Sequence, residues 1–163
     1  FYAMGYINYS MENFKEAIIN FENARLLFYE DYNWRYKHIL YSLGNSYLEA
    51  GHFNKSIQLY EKCLTLAKNQ NDWIYSLNIK LALTYIKKGE IGKSKIYYQI
   101  SEELYNEVDT KDFWDLYYSY DTKHFHQLLQ DNSAKMNKLS CKCDRKEHAV
   151  NSCVKESGVF GSF

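Results

Sequence analysis

Three stretches of this chain repeat one another, and that self-similarity limits the fold more than any other feature. LGNSYLEAGHFNKSIQLYEKC, beginning at Leu43, aligns without a gap with LALTYIKKGEIGKSKIYYQIS, beginning at Leu81. Leu43 meets Leu81, Gly44 meets Ala82, Tyr47 meets Tyr85, Gly51 meets Gly89, Ser56 meets Ser94 and Tyr60 meets Tyr98. An earlier copy begins at Met4 and places Gly5, Ala17, Phe21 and Ala24 at the equivalent positions. The copies are offset by 39 and 38 residues. A unit recurring at such an interval is one supersecondary element that cannot bury its apolar face alone, so neighbouring units must stack.

Each copy reads as two antiparallel helices. The first helix of a pair, helix A, spans about 34–50 and 73–88, and the second, helix B, about 13–29, 53–69 and 91–107. Gly51 and Gly89 lie between A and B, where a left-handed residue ends a helix. Stretches rich in Asp and Asn separate the pairs at 30–33, 69–72 and 109–112, and are expected to supply N-caps. The dipeptides Asn33-Trp34, Asp72-Trp73 and Asp112-Phe113 mark these loops. Gly44 is expected to face Ser56, and Ala82 to face Ser94, because small residues let two helices approach closely. The pairs Tyr47/Tyr60 and Tyr85/Tyr98 are expected to wedge the space beyond. Ala24, Cys63 and Ser101 fall where the next repeat docks.

Composition agrees with helices. Proline is absent and glycine occurs 7 times, too few turn residues for a sandwich or barrel. The formal net charge is zero, with no block of like charges, which argues against nucleic acid as a partner. The longest apolar run, around Ala24 to Tyr29, is far too short to span a membrane. The chain opens on Phe1 within a helical pattern, so further residues are expected to precede it. Of the four cysteines only Cys63 lies in the repeats, which fits a reducing, cytoplasmic setting and a small core residue.

The order leucine, small residue, aromatic, glycine, small residue, aromatic, small residue resembles the tetratricopeptide repeat over about residues 1–107. The resemblance implies an all-α solenoid of antiparallel helix pairs wound into a right-handed superhelix, with repeats at about 1–33, 34–72 and 73–111 and a further helix at 112–130. It departs from the family in lacking the proline after helix B and in its length, since the common period is about 34 residues. The extra residues fall at the start of helix A, around Trp34 to Ile39 and Trp73 to Asn78. Long, proline-poor repeats of this kind resemble those of cytosolic quorum-sensing peptide receptors of Gram-positive bacteria, the group of Rap phosphatases and PlcR- or NprR-type regulators. That resemblance implies a bacterial peptide-sensing module whose output lies in another part of the protein. A generic scaffold for protein complexes, and the repeat region of a Rap-like phosphatase whose catalytic part lies outside this chain, are the other readings it leaves open.

In this family helix A lines the concave face. Counted from the small residue, the positions expected to be exposed are Tyr2, Tyr6 and Tyr9, then Tyr41, Asn45 and Leu48, then Ile79, Leu83 and Ile86. His38 lies one turn before Tyr41. Asn45 is expected to stand exposed and to hold a peptide backbone or carboxylate, because one amide both donates and accepts. Tyr6, Tyr41, Ile79 and Leu83 are expected to supply apolar pockets. The partner classes are a short linear peptide, a partner protein, or a second copy in a homodimer.

No catalytic residues, metal or cofactor are expected. Gly89-Glu90-Ile91-Gly92 is an inter-helix turn rather than a phosphate loop, and no Ser-His-Asp or Cys-His arrangement has supporting context. His124 and His126 are two apart on a predicted helix and so point to different faces. Cys141, Cys143, His148 and Cys153 fall one residue short of a zinc-knuckle spacing and lack its glycine and aromatic residues. All 17 tyrosines precede residue 131, and residues 131–163 read as a poorly structured tail.

Overall fold

Glycine at two equivalent positions lets aromatic rings lie directly against a helix backbone, and the helix pairs form around these contacts. A Cβ placed on Gly5 would come within 2.6 Å of the Phe21 ring, and one on Gly44 within 2.7 Å of the Tyr60 ring. Both rings are fully buried. Residues 1–28, 34–68, 70–105, 123, 127, 128 and 130–132 are described by the computed structural model. Contacts divide the chain into two units, 1–125 and 126–163. In the second unit the described residues are helical, with Asn132 Nδ2 donating to the Leu128 carbonyl at 2.8 Å.

The first unit contains α1 (Tyr2–Ser10), α2 (Phe14–Leu26), α3 (Trp34–Glu49), α4 (Phe53–Ala67), α5 (Asn71–Lys88) and α6 (Ile91–Tyr105). No strand occurs among the described residues. Within pairs, α1 packs on α2, α3 on α4 and α5 on α6; between pairs, α2 packs on α3 and α4 on α5. This is the order of an α-solenoid, in which each unit touches only its neighbours. No helix is long and apolar enough to cross a membrane among the described residues. The expected helix at 112–130 falls almost wholly outside the described residues, as do the loops at 30–33 and 109–112, His124 and His126. The tail beyond Asn132, with its four candidate zinc ligands, also lies outside them.

The three A-to-B turns share one hydrogen-bond pattern. Gly51 at φ +78° and Gly89 at φ +92° close α3 and α5. In the third turn Gly89 N–H donates to Ile86 O at 3.0 Å and Glu90 N–H to Tyr85 O at 2.9 Å. The second turn repeats this with Gly51 N–H on Leu48 O at 3.1 Å and His52 N–H on Tyr47 O at 2.8 Å. In the first turn the same position is Glu12, at φ +59°, with the same pair of bonds to Tyr9 and Asn8. The loop caps differ from expectation. α5 starts at Asn71 behind Gln70, with no side-chain cap, and Asp72 lies inside its first turn. There its charge complements the helix N-terminus instead of capping it.

The close crossing also differs in detail. At Gly44 the nearest atoms belong to Tyr60 rather than to Ser56, so the aromatic ring, not the hydroxyl, demands glycine. Ser94 meets Ala82 as expected, its Oγ donating to the Ala82 carbonyl at 2.8 Å. Ala82 carries the methyl that Gly5 and Gly44 lack, and Tyr98 is only half-buried where Phe21 and Tyr60 are enclosed. Tyr85 stacks on Tyr97 at 5.3 Å, while Tyr47 and Tyr60 sit in separate core clusters. The expected tyrosine wedges therefore split between neighbouring interfaces. Cys63 is wholly buried, and burial pushes its thiol up to about 12.

Glu12 occupies a left-handed position that its two counterparts fill with glycine. A residue with a Cβ is strained there by about 1–2 kcal/mol. Glu12→Gly is expected to raise the free energy of unfolding by up to about 1 kcal/mol, because glycine's greater freedom in the unfolded chain offsets part of the relief. Urea unfolding of the two proteins checks this, and a loss of stability would contradict it.

Candidate peptide-binding face

The A helices are tied edge to edge by polar contacts that their repeat positions supply. Ser42 Oγ on α3 donates to Tyr6 Oη on α1 at 3.0 Å. Tyr41 Oη on α3 and Ser76 Oγ on α5 lie 3.3 Å apart. Lys87 on α5 forms an ion pair with Glu49 on α3 at 3.4 Å. Lys37 Nζ donates to Gln70 Oε1, just ahead of α5. Such contacts make the A helices a continuous layer instead of three separate ridges.

The layer is far more enclosed than expected. Every residue from Ser42 to Leu48 on α3, and from Tyr75 to Ile86 on α5, is buried. Leu48, Ile79, Leu83 and Ile86, expected to line an open groove, are at most 3% exposed. Asn45 is 7% exposed and its Oδ1 accepts a 2.6 Å hydrogen bond from Tyr60 Oη. The physical reason is visible in α5, where Tyr75 to Ile86 contains one charged residue, Lys80. A helix without a charged face gains by losing water on all sides. Counting outward positions from the small residue presumed a wetted face that this sequence does not have.

Tyr6, Tyr41 and His38 remain reachable. Tyr6 is exposed, while Tyr2, Tyr9, Tyr41 and His38 are half-buried. Tyr6 stands edge-on to Tyr2 at 5.0 Å and to Phe21 at 5.5 Å. Tyr2 Oη donates to Tyr6 Oη at 3.2 Å, and burial, then Tyr6, raises the Tyr2 phenol above its ordinary value.

His38 belongs to an aromatic cluster at the N-terminal ends of α3 and α5. Its ring lies between Trp34 at 5.4 Å and Trp73 at 4.8 Å. Tyr41 continues the chain of rings, 5.7 Å from Trp73 and 6.0 Å from Tyr60. Arg35 lies over the Trp34 ring at 5.5 Å and Lys37 over the Trp73 ring at 5.3 Å. Trp34 remains 61% exposed. Position-counting on the family pattern missed both tryptophans, although the recurring Asn33-Trp34 and Asp72-Trp73 pairs had marked them. Burial, and then the charge of Lys37, hold the His38 imidazole below the usual histidine value.

Chemically, this arrangement can stack and hold flat apolar groups beside positive charge. It does not assemble a nucleophile with a base, and no cluster of three metal-ligating side chains occurs among the described residues.

A family model of the tetratricopeptide repeat matches residues 1–69, which supports a tetratricopeptide-repeat protein. Repeats of this family generally mediate protein–protein interactions, and the fold is typically non-catalytic. No curated protein and no solved structure matches the chain.

Two outcomes follow from this geometry. Asn45→Ala removes the acceptor of a buried tyrosine hydroxyl, so unfolding should become easier by about 1–3 kcal/mol. A thermal melt reads this, and an unchanged midpoint would place Asn45 outside the scaffold. His38 contributes a pH dependence with a definite sign. The unfolded chain takes up the proton near pH 6.5, and the folded chain only at lower pH, so folding stability falls as pH drops below about 6.5. Urea unfolding at pH 7.5 and 5.5 should show a larger loss in the parent protein than in His38→Gln.

Proposed function

We propose that this chain is a peptide-binding module that seats a short linear peptide on the helix-A layer, at the aromatic cluster of Trp34, His38, Tyr41 and Trp73. The observation that carries this reading is the cluster itself: four neighbouring rings, one largely exposed, with Arg35 and Lys37 over two of them. Aromatic rings with a polar rim offer large contact area at small entropic cost. Nearby cations favour a ligand bearing a carboxylate, either an acidic side chain or a peptide C-terminus. Tyr6 and Tyr41 extend the contact along the layer. The Asn45 oxygen already accepts from Tyr60, and its Nδ2 group carries two donors for a ligand.

The resemblance to peptide receptors of Gram-positive quorum sensing supports trying secreted signalling peptides first. It also supports a cytoplasmic location in a bacterial regulator, as does the near absence of cysteine before residue 131.

A displayed library of random linear peptides, selected on the full chain, tests the reading. The selected peptides should pair an aromatic or large aliphatic side chain with an acidic group. In calorimetric titration, Trp34→Ala and Trp73→Ala should each weaken them at least tenfold, about 1.4 kcal/mol. Affinity left unchanged by both substitutions would remove the cluster from the binding site.

A further inference from the structure

A histidine stands in the middle of the aromatic row, and its neighbours decide when it carries charge. The His38 imidazole is half-buried, 5.4 Å from Trp34 and 4.8 Å from Trp73, with both indoles nearly perpendicular to it. Each indole already has a cation over it, Arg35 on Trp34 and Lys37 on Trp73. Lys37 Nζ also donates to Gln70 Oε1, which holds that charge at the cluster. Tyr41, 5.7 Å from Trp73, completes the α3 side. From α5 comes Trp73 itself, with the exposed Asp72 beside it in sequence. α4 reaches this part of α3 through the Cys63 thiol, which donates to the Lys37 carbonyl at 3.6 Å, and through Lys62, over the Tyr36 ring at 5.5 Å. Of these side-chain types, only histidine ordinarily changes charge between pH 5 and 8.

A third positive charge between two cation-bearing indoles is unfavourable. Burial, and then the charge of Lys37, hold the imidazole below the usual histidine value, so it is neutral in the free protein at pH 7. A ligand carboxylate changes this. Drawn to Arg35 and Lys37, it comes to rest beside the same ring. An opposite charge within about 4–6 Å raises the proton affinity of such a group about tenfold or more. A covering ligand also removes water, which works in the opposite direction. That loss is the smaller effect, because the ring is half out of water before anything binds, and a drier site strengthens its attraction to the carboxylate.

We propose that His38 takes up a proton from solvent when a carboxylate-bearing peptide settles on the aromatic cluster, so that the seat holds acidic peptides more tightly as its surroundings acidify. This rests on the cluster being the peptide seat. The protonated ring adds a third cation to Arg35 and Lys37 and can donate from both nitrogens. Linkage makes the effect reciprocal: a carboxylate that favours the proton is itself favoured by the proton to the same degree. The gain in affinity is absent well above the titration range of the bound ring. It grows as pH falls through that range and levels off once the free ring is protonated as well.

Three acetylated pentapeptides of the pattern glycine, phenylalanine, variable residue, leucine, glycine test this on the full chain. The first has glutamate at the variable position and an amidated C-terminus. The second has glutamine and a free C-terminal carboxylate, and the third has glutamine and an amidated C-terminus. Nuclear magnetic resonance follows the Trp34 and Trp73 indole signals, which report seating, and the His38 ring signals, identified by their loss in His38→Gln. A carboxylate-bearing peptide should raise the His38 titration midpoint by about one pH unit, tenfold in proton affinity. It should bind about threefold or more tightly at pH 5.5 than at pH 7.5, a difference that His38→Gln abolishes. The fully neutral peptide should do neither. Whichever of the first two peptides raises the midpoint identifies the source of the carboxylate as a side chain or a C-terminus. Acidic peptides that shift both tryptophans while the His38 midpoint stays or falls would overturn the proton uptake and leave the seat standing. So would a pH dependence of binding that survives in His38→Gln. Tryptophan signals unmoved by all three peptides would overturn the proposal together with the seat.

Discussion

An aromatic ring resting on a glycine backbone is the contact from which the rest of the structure follows. Phe21 over Gly5 and Tyr60 over Gly44 draw helix B against helix A more closely than any side chain at those positions would permit. Rings so placed are removed from water, a large apolar gain. The close approach also brings Tyr60 across Gly44 to Asn45 of α3, where its hydroxyl finds a buried acceptor. In the third pair Ala82 stands where the others have glycine, and Ser94 donates to its backbone carbonyl at the crossing. The two solutions coexist because stacking requires only that a small residue stand at the crossing.

That stacking has a consequence for binding. A repeat pair hides one apolar side against its partner and another against the next pair, so the A helices in the middle of the array lose nearly all contact with water. Binding groups therefore survive where the enclosure ends. One such place is the N-terminal end of α3 and α5, where Trp34, His38, Tyr41 and Trp73 form a row of rings. Trp34, His38 and Trp73 fall in the stretches that the sequence comparison marks as lengthening each repeat beyond the usual period, and Tyr41 follows just after.

Much of this was legible in the residues. Gly5, Gly44, Gly51 and Gly89 fixed the repeat register, and with it the helix order, the antiparallel pairing and the positions of the left-handed turns. The sequence by itself determined these because they depend on local geometry: a period, a small residue, a backbone conformation open to glycine. It did not determine the start of α5, which begins at Asn71 behind Gln70 with Asp72 inside its first turn. The accessibility of Asn45, Leu48, Ile79 and Leu83 was decided only by the tertiary structure. Whether a face stays wet depends on every helix that reaches it, and one helix's periodicity carries no record of the others. Tyr60 makes the point. Its repeat position announced a buried aromatic, but only the distance across Gly44 revealed that its hydroxyl donates to Asn45, the amide expected to hold a bound peptide.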